Sequence, residues 1–400
     1  MKKLLWISQY VPYDGVVHAG GKTHNYYIKY FEKSKKFDIF LITLAEKYQE
    51  KEIDLDQYGI SYDAEVVNSN AFKDIYRKIY NFRSMYDSEH RLCQTILSYQ
   101  FESLKKRVIR YGKNNTPDIV IMQWTGAAFL LPLVKSLFPN AKTVIIEEDV
   151  SFLGYERKYN EEDNEARKKR KKKVYEKLRN RELELLAACD IVVLNNGKDK
   201  DLLLQNGIPE DKMQIVPPFY EDYSSKERNT DCSTILFYGV MSRIENHEAA
   251  VWFVENVMPL LEDMDVRFEI VGSNPKEELI RMSNERVHVR GYVDDVGQYL
   301  AKCLCMVVPL TLGAGIKVKV LEGLSAGVPI LSSYVGIEGI PVEDGKEIFC
   351  CETPREYDTI IRSLIASDNL RDSVSEASRK FMDRTYNIDE KLDKLVEKLG

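Results

Sequence analysis

The sequence of 400 residues has little cysteine, little histidine and no long apolar run. No stretch approaches the roughly 18 apolar residues of a membrane-spanning helix. The apolar start of MKKLLWISQY ends at Ser8, too early for the core of a signal peptide. Seven cysteines without a C-x-x-C pair indicate reduced thiols rather than a disulfide framework. We therefore expect a cytoplasmic protein.

The composition also lacks an excess of positive charge. The 57 basic residues are outnumbered by 63 acidic ones, and the formal net charge of −6 excludes an overall basic nucleic-acid binder. We expect no nucleic-acid partner, and an anionic ligand would have to meet a local basic patch. His90, His247 and His288 each stand without a second ligand at metal spacing, so we expect them to be structural or exposed and we predict no metal site.

Short β-branched runs alternate with helical patterns in both halves of the chain. This alternation predicts an α/β protein with two parallel, Rossmann-like sheets. The predicted strands of the first half lie at 4–8, 37–43, 117–122, 143–148 and 190–195, and those of the second half at 235–240, 266–272, 286–291, 303–310 and 329–333.

Four parts follow along the chain: a first domain over 1–215, a linker over 216–233, a second domain over 234–385 and a C-terminal helix over 386–400 that could cross back. The linker contains two prolines and shows no periodicity. Open parallel sheets bind ligands beyond the carboxyl ends of their strands. Two such sheets facing each other would enclose a cleft, and we expect the functional site there.

The segment TLGAGIKVKVLEGLSAGVPILSS (311–333) has the pattern of an anion site. A buried strand is followed by a loop with Gly313 and Gly315, and a helix is predicted to start near Ile316. Glycines let backbone amides approach a phosphate, and the helix N-terminus adds partial positive charge. Lys317 and Lys319 lie where the helix dipole disfavours cations, which a bound diphosphate would offset. The alternative is a plain turn with solvated lysines, Lys319 pairing with Glu322.

This segment resembles the donor-binding signature of retaining GT-B glycosyltransferases of family four, glycosyl transferases group 1. The resemblance continues in FYGVMSRIENHEAAVWFVENVMPLL (237–261), IVGSNP (270–275), GYVDDV (291–296) and SSYVGIEGI (332–340). In the first half it is sparser, in HAGGKTHNYY (18–27) and ELELLAACDIVVLNN (182–196). It implies a GT-B architecture of two Rossmann-like domains, a nucleoside diphosphate sugar as co-substrate and no other cofactor.

The resemblance also implies roles for individual residues. Glu322 would bind the ribose hydroxyls, and Arg243 with Lys317 or Lys319 would neutralise the diphosphate leaving group without a metal. A plain surface arginine is the alternative for Arg243. The remaining donor-side positions are Gly20, Gly21, Gly272, Val293, Gly313, Gly315 and Glu338.

The sequence departs from the family pattern in three respects. Ala314 replaces a sugar-binding glutamate, Glu248 replaces a phosphate-binding lysine, and Gln123 with Trp124 replaces a histidine.

Candidates on the acceptor side are His18, Gln123, Trp124, Glu148 and Asp149. The acidic run 147–149 follows a predicted strand and could supply a general base for an acceptor hydroxyl, or could be a solvated junction. His24 flanks the same glycines as His18.

The stretch EARKKRKKKVYEKLRNR (165–181) holds ten basic and two acidic residues, a local charge of +8. Lysines and arginines near an anionic bilayer each contribute up to about 1 kcal/mol of attraction. Residues 167–181 could therefore hold the protein at the inner face of a membrane, where a lipid-linked acceptor would be presented. A solvated helix packed through Val174, Tyr175 and Leu178 is the alternative.

We accordingly expect a metal-independent retaining glycosyltransferase that transfers a hexosyl group to a saccharide or lipid-linked saccharide, in surface polysaccharide or glycan biosynthesis. Two other functions fit the same sequence: a non-catalytic GT-B protein that binds a partner glycosyltransferase or a glycan, and a nucleotide-sugar epimerase.

Overall fold

A computed structural model describes residues 1–67, 75, 95–313 and 315–400. It divides into two compact units, one formed by Met1–Phe219 with Ile388–Gly400 and the other by Tyr220–Asn387. The division falls inside the segment 216–233 that was predicted to be the linker. His90 and Ala314 lie outside the described residues.

The first unit contains a parallel sheet of seven strands in the order β3-β2-β1-β4-β5-β6-β7. Its strands are β1 (Lys2–Ile7), β2 (Phe37–Glu46), β3 (Ser61–Val67), β4 (Ile119–Gln123), β5 (Lys142–Glu147), β6 (Ile191–Leu194) and β7 (Met213–Ile215). Its described helices are α1 (Ala19–Lys33), α2 (Ser98–Gly112), α3 (Trp124–Ala128), α4 (Leu131–Leu137), α5 (Ser151–Asn160), α6 (Glu165–Ala188) and α7 (Gly197–Gln205), with α14 (Ile388–Leu399) from the end of the chain.

The central strands of this sheet are apolar on both faces because helices cover both sides. All residues of β4 and β6 are buried. Helix α14 places Leu392, Leu395 and Val396 in the same apolar cluster as Tyr27 and Phe31 of α1. The C-terminal helix therefore crosses back to the first unit, as the leucine spacing 392, 395 and 399 on one helical face allows.

The second unit contains a parallel sheet of six strands in the order β10-β9-β8-β11-β12-β13. Its strands are β8 (Asp231–Tyr238), β9 (Arg267–Val271), β10 (Val287–Gly291), β11 (Cys303–Val308), β12 (Ile330–Ser332) and β13 (Phe349–Cys350). Its helices are α8 (Ile244–Asn256), α9 (Glu277–Arg281), α10 (Gly297–Lys302), α11 (Val318–Ser325), α12 (Pro354–Ala366) and α13 (Asp368–Thr385).

The order of the strands in each sheet determines where a ligand could bind. In the first sheet β1 pairs with both β2 and β4, and in the second β8 pairs with both β9 and β11. The strand order reverses at β1 and at β8, so the loops that follow neighbouring strands there run to opposite sides of the sheet. This leaves room for a ligand at the carboxyl ends of β1 and β8. Each unit by itself therefore has the Rossmann-like form that the strand pattern predicted.

Two details differ from the prediction. Helix α11 starts at Val318 rather than near Ile316, because Lys317 keeps an extended backbone as its N-cap. Strands β3, β7 and β13 were not predicted. Two of them are only two or three residues long, and β3 mixes polar with apolar positions, so none carries a continuous apolar run.

Within the described residues, no helix combines the length and the apolar character required to cross a membrane.

Candidate functional site

The second unit gathers charged side chains around the carboxyl end of β8. This end is tightly built, because Gly272, which follows β9, lies directly against the backbone of Gly239, which follows β8. A Cβ atom on Gly272 would lie 1.7 Å from the Gly239 carbonyl oxygen, and the residue has φ +149°. Gly272, predicted to approach the donor, is thus required here for packing between two strand ends.

Lys319 lies in the first turn of α11 and points toward α8. Its Nζ donates a hydrogen bond to Asn246 Oδ1 at 2.7 Å and lies 4.5 Å from the centre of the Phe237 ring. Burial is the main cause, and the nearby positive charge of Arg243 the next, of a fall in the pKa of Lys319 from 10.5 to about 7. The unit therefore holds a buried amine that would gain a full charge if an anion bound beside it.

Glu322 follows Lys319 one turn later on α11. Its Oε2 accepts a hydrogen bond from the Tyr238 hydroxyl at 2.5 Å, and its Oε1 lies 3.5 Å from the backbone N of Glu221. Lys319 and Glu322 do not form the hydrogen-bonded pair that the spacing allowed, since Lys319 donates to Asn246 instead. The carboxylate is thereby held at the carboxyl end of β8.

Lys317 lies against the loop that contains Gly313 and Gly315. Its Nζ donates to the Gly315 carbonyl at 2.6 Å and lies 3.9 Å from Glu338 Oε2, and the two side chains are only 10% and 14% exposed. A Cβ on Gly313 would come within 3.2 Å of the Lys317 side chain. Gly313, Gly315, Lys317 and Glu338 are therefore neighbours in this structure.

Arg243 is the N-cap of α8 and extends toward solvent. Its side chain is 67% exposed and forms an ion pair with Glu245. Its charge still acts on Lys319, together with that of Lys317. Val293 is half-buried and packs against the apolar core of this unit.

Glu248, one of the departures from the family, lies on the outer face of α8. There it lines a cavity of about 490 Å³ together with His247, Trp252 and Thr311. His247 Nε2 lies 3.0 Å from Glu278 Oε2, and His288 Nδ1 lies 2.7 Å from Glu269 Oε1. Both histidines are thus held by a carboxylate. Across the residues that the structure describes, no group of three or more His, Cys, Asp and Glu side chains is arranged to hold a metal ion.

The first unit has a second set of polar groups at the N-terminus of α1. His18 is the N-cap, and its Nδ1 accepts a hydrogen bond from the Gly21 backbone N at 2.9 Å. Burial lowers the pKa of His18. A Cβ on Gly20 would lie 2.4 Å from Glu148 Oε2, so the carboxylate rests on that glycine. Gly20 and Gly21, which the resemblance places on the donor side, therefore lie against Glu148 and His18 respectively.

Glu148 follows β5 and is held by its neighbours. Gln123 Nε2 donates to its Oε1 at 3.1 Å. Burial raises the pKa of Glu148 from 4.5 to about 7, while hydrogen bonds from Trp124 and Gln123 act in the opposite direction. Asp149 is exposed and its negative charge contributes to the rise. A carboxyl group with this pKa is close to half ionised at neutral pH, which suits a general base.

Trp124, at the start of α3, has the left-handed backbone φ of +67°. Its ring centre lies 5.3 Å from that of Tyr10 and 5.4 Å from that of His24. His24 is fully buried, and burial lowers its pKa to about 3. The structure therefore brings together His18, Gln123, Trp124 and Glu148, with Asp149 following in the chain.

Tyr238, Asn246 and Tyr10 are neighbours of these sites that the sequence did not indicate. Asn246 is a buried polar residue near the start of α8, and its position in the sequence gives no signal of its contact with Lys319. Tyr10 lies in an irregular loop after β1, where no periodicity exists to read.

Comparisons with known proteins agree with this architecture. Residues 232–367 match the family model of glycosyl transferases group 1. HepE from Anabaena in complex with UDP has a similar structure, with a TM-score of 0.64, 12% identity and 99% of each chain covered. Sucrose-phosphate synthase from Thermosynechococcus elongatus gives a TM-score of 0.67 at 12% identity, with 100% of this chain and 99% of that one covered.

A mutant of TarM from S. aureus, in complex with fondaparinux, α-GlcNAc-glycerol and UDP, gives a TM-score of 0.65 at 11% identity and 100% coverage of both chains. At such identities the likeness shows a shared fold. A comparison with curated protein sequences gave no match. The chain thus has the GT-B fold, and its residues 232–367 carry the signature of glycosyl transferases group 1, as the resemblance of 311–333 implied.

Proposed function

We propose that this protein is a retaining glycosyltransferase that transfers a hexosyl group from a nucleoside diphosphate sugar to a saccharide acceptor. The second unit would bind the donor and the first unit the acceptor. The observation that carries the proposal is the group formed by Arg243, Lys317, Lys319 and Glu322 at the carboxyl end of β8.

The donor side supplies what the departing diphosphate needs. When the bond between the sugar C1 and the phosphate oxygen breaks, negative charge develops on the diphosphate. Lys319 and Lys317 are already half-buried, so their charges act in a medium that screens them less than water does. Arg243 is exposed and could fold onto the ligand from the N-terminus of α8. We assign these cations the work of stabilising the leaving group without a metal.

Glu322 is suited to hold the ribose of the donor. The Tyr238 hydroxyl fixes its carboxylate, and a carboxylate is a group that accepts hydrogen bonds of the kind two ribose hydroxyls would donate. Gly313, Gly315 and Glu338 surround Lys317 and complete the predicted donor loop.

The acceptor side would supply a base. In a retaining transfer, the acceptor hydroxyl forms its new bond to C1 on the face that the diphosphate leaves, and its proton must be removed. Glu148, with a pKa of about 7, can take that proton at neutral pH. His18 and Gln123 lie beside it, and Asp149 follows it in the chain.

The basic helix α6 suggests where the acceptor would be found. Lys171 pairs with Glu162 at 2.6 Å and Arg181 with Glu184 at 2.8 Å, while Arg167, Lys169 and Arg170 are exposed. We propose that this helix binds an anionic membrane surface at the inner face of the membrane and that the acceptor is lipid-linked, as surface polysaccharide assembly would require. Charge reversal across 167–173 should abolish binding to vesicles that contain phosphatidylglycerol, and unchanged binding would contradict this role.

A thermal-shift series with UDP-, GDP- and other activated sugars tests the donor assignment. A donor present at 100 times its dissociation constant adds about 2.7 kcal/mol to stability. Slow donor hydrolysis that is lost in Glu322→Ala and Lys317→Ala, and kept in the exposed control Lys380→Ala, is the result we expect.

The other outcomes separate the alternatives. Saturable binding of a partner or glycan with no hydrolysis would favour a non-catalytic protein, and conversion of the donor sugar without an acceptor would favour an epimerase. Absence of any donor-induced stabilisation would contradict the proposed function.

A further inference from the structure

Trp124 has a backbone conformation that its side chain disfavours. Its φ of +67° is in the left-handed region, where residues with large side chains are rare. The surrounding structure must hold it there, and such strained residues cluster at ligand sites. It directly follows Gln123, whose buried Oε1 finds no hydrogen-bond partner among the described residues.

The strained backbone presents the indole to an exposed aromatic patch. The Tyr10 and Trp124 ring centres are 5.3 Å apart with their planes at 76°, and those of Tyr10 and His18 are 5.7 Å apart at 71°. Tyr10 is 47% exposed. The loop that carries it is fixed by the Ser8 hydroxyl, which donates to the Tyr10 carbonyl at 3.0 Å. Two large rings in mutual contact therefore lie beside solvent, one of them on a loop whose backbone is held by a hydrogen bond.

Polar groups border these rings on one side. Glu148 is linked to Gln123 by a hydrogen bond of 3.1 Å and receives another from Trp124. A patch with apolar faces and a carboxylate at its edge matches a sugar ring, whose C–H face is apolar and whose hydroxyls point outward.

We infer that Tyr10 and Trp124 form the surface on which a pyranose ring of the acceptor packs. That this pyranose belongs to the acceptor rests on the proposed function. The inference adds the class of substrate, a pyranose, and a residue that determines specificity, Tyr10. The sugar hydroxyls would then lie within reach of Glu148, which accepts the proton of the one that reacts.

A nucleobase also stacks on aromatic rings, but this patch suits it less. The rings stand edge-to-face rather than parallel, so they do not form a slot for a flat base. The adjacent charges are those of Glu148 and Asp149, which would repel the diphosphate of a nucleotide.

Saturation-transfer NMR with methyl pyranosides of glucose, galactose, mannose and N-acetylglucosamine tests this inference. Irradiating aromatic protons should transfer saturation to C–H protons on one face of at least one of these sugars. We expect Tyr10→Ala to weaken binding by about tenfold, because it removes one ring of the patch. Tyr10→Phe should bind within about threefold of the wild type, because it keeps that ring.

Tyr48→Ala, at an exposed tyrosine of the same unit (72% exposed, against 47% for Tyr10), is the control and should have no effect. Melting curves of all variants exclude unfolding as the cause of any loss. Equal affinity in wild type and Tyr10→Ala would overturn the inference, as would binding of none of the four pyranosides or displacement of the sugar by uridine.

This test is independent of the donor. Pyranoside binding that depends on Tyr10, in a protein that binds no activated sugar, would contradict the proposed function and leave the aromatic surface standing as a glycan site. Donor hydrolysis with no effect of Tyr10→Ala on pyranoside binding would support the proposed function and contradict the aromatic sugar site.

Discussion

The ammonium nitrogen of Lys319 lies 2.7 Å from the side-chain oxygen of Asn246, and this contact joins the first turn of α11 to the first turns of α8. It brings a helix that starts after the glycine loop against one that starts after β8. The positive groups of the donor site are thereby collected within the second unit.

The lowered pKa of Lys319 predicts opposite effects of pH on the free protein and on its ligand complex. The pKa is about 7 in the folded protein and near 10.5 when the chain is unfolded, so the unfolded state binds more protons between these values. The free protein should therefore gain stability from this residue as pH rises from about 7 toward 10.

The affinity for UDP should fall over the same range, because a neutral Lys319 attracts a diphosphate less. Calorimetric titrations from pH 6 to 9, in buffers of different ionisation enthalpy, should show proton uptake on binding above pH 7. Lys319→Met should remove that uptake, whereas the exposed change Lys302→Met should leave it. Equal affinity and no uptake across the range would show that Lys319 does not face the diphosphate.

Glu148 should control the rate of transfer rather than donor binding. As its carboxyl ionises through a pKa of about 7, kcat should rise to a plateau on the alkaline side. Glu148→Gln should lower kcat by about 10² to 10⁴, the range of general-base catalysis, with the donor dissociation constant unchanged. Asp149→Asn is the neighbouring control and should have a small effect. A pH profile of the Glu148→Gln enzyme that keeps the inflection near 7 would assign the base elsewhere.

Two buried carboxyls, Glu147 and Glu182, should make the first unit less stable at high pH. Burial raises the pKa of Glu182 to about 8 and that of Glu147 well above its usual value. A carboxyl with a raised pKa favours the folded state below its unfolded pKa of about 4.5, and that contribution is lost as pH rises through the folded value.

Glu147→Gln should accordingly raise the melting temperature at pH 9 and change it little at pH 5. Its Oε2 accepts a hydrogen bond from the Thr125 hydroxyl at 2.7 Å, which a glutamine oxygen can also accept. The exposed Glu176→Gln should be neutral at both values. A lower melting temperature for Glu147→Gln than for the wild type at pH 9 would contradict this prediction. It would show that the folded protein stabilises the ionised Glu147 carboxylate.

Gly272→Ala should disrupt the second unit. The new Cβ would lie 1.7 Å from the Gly239 carbonyl oxygen, so one of the two strand ends must move. We expect a loss of stability of about 3 kcal/mol or more together with loss of UDP binding. Gly154→Ala, in helix α5, has open space around its Cβ and should stabilise by up to about 1 kcal/mol. Thermal and urea unfolding curves provide the comparison, and a Gly272→Ala protein of normal stability would refute the close approach.

The sequence was most informative where function depends on residues close together in the chain. Lys317, Lys319 and Glu322 lie on or beside one short helix, so the strand, glycine loop and helix pattern already predicted that they would be neighbours. The Rossmann-like sheets could be predicted for the same reason, since β4, β6 and β11 are continuous apolar runs.

Contacts between distant segments could not be predicted in this way. Nothing in the sequence indicates that Asn246 holds Lys319, 73 residues away, or that Glu148 rests on Gly20. The packing requirement at Gly272 could not be predicted for the same reason, because it comes from Gly239, which follows another strand. Tyr10 was missed because its loop has no repeating pattern and its partner Trp124 lies far along the chain, at the start of α3.

A crystal structure of the protein with UDP would test the central claim most directly. We predict that the diphosphate oxygens lie within about 3 Å of the Lys319 and Lys317 ammonium groups and that both ribose hydroxyls donate to the Glu322 carboxylate. A complex in which UDP binds elsewhere, with Lys319 still donating to Asn246 and Glu322 making no contact with the ribose, would contradict it.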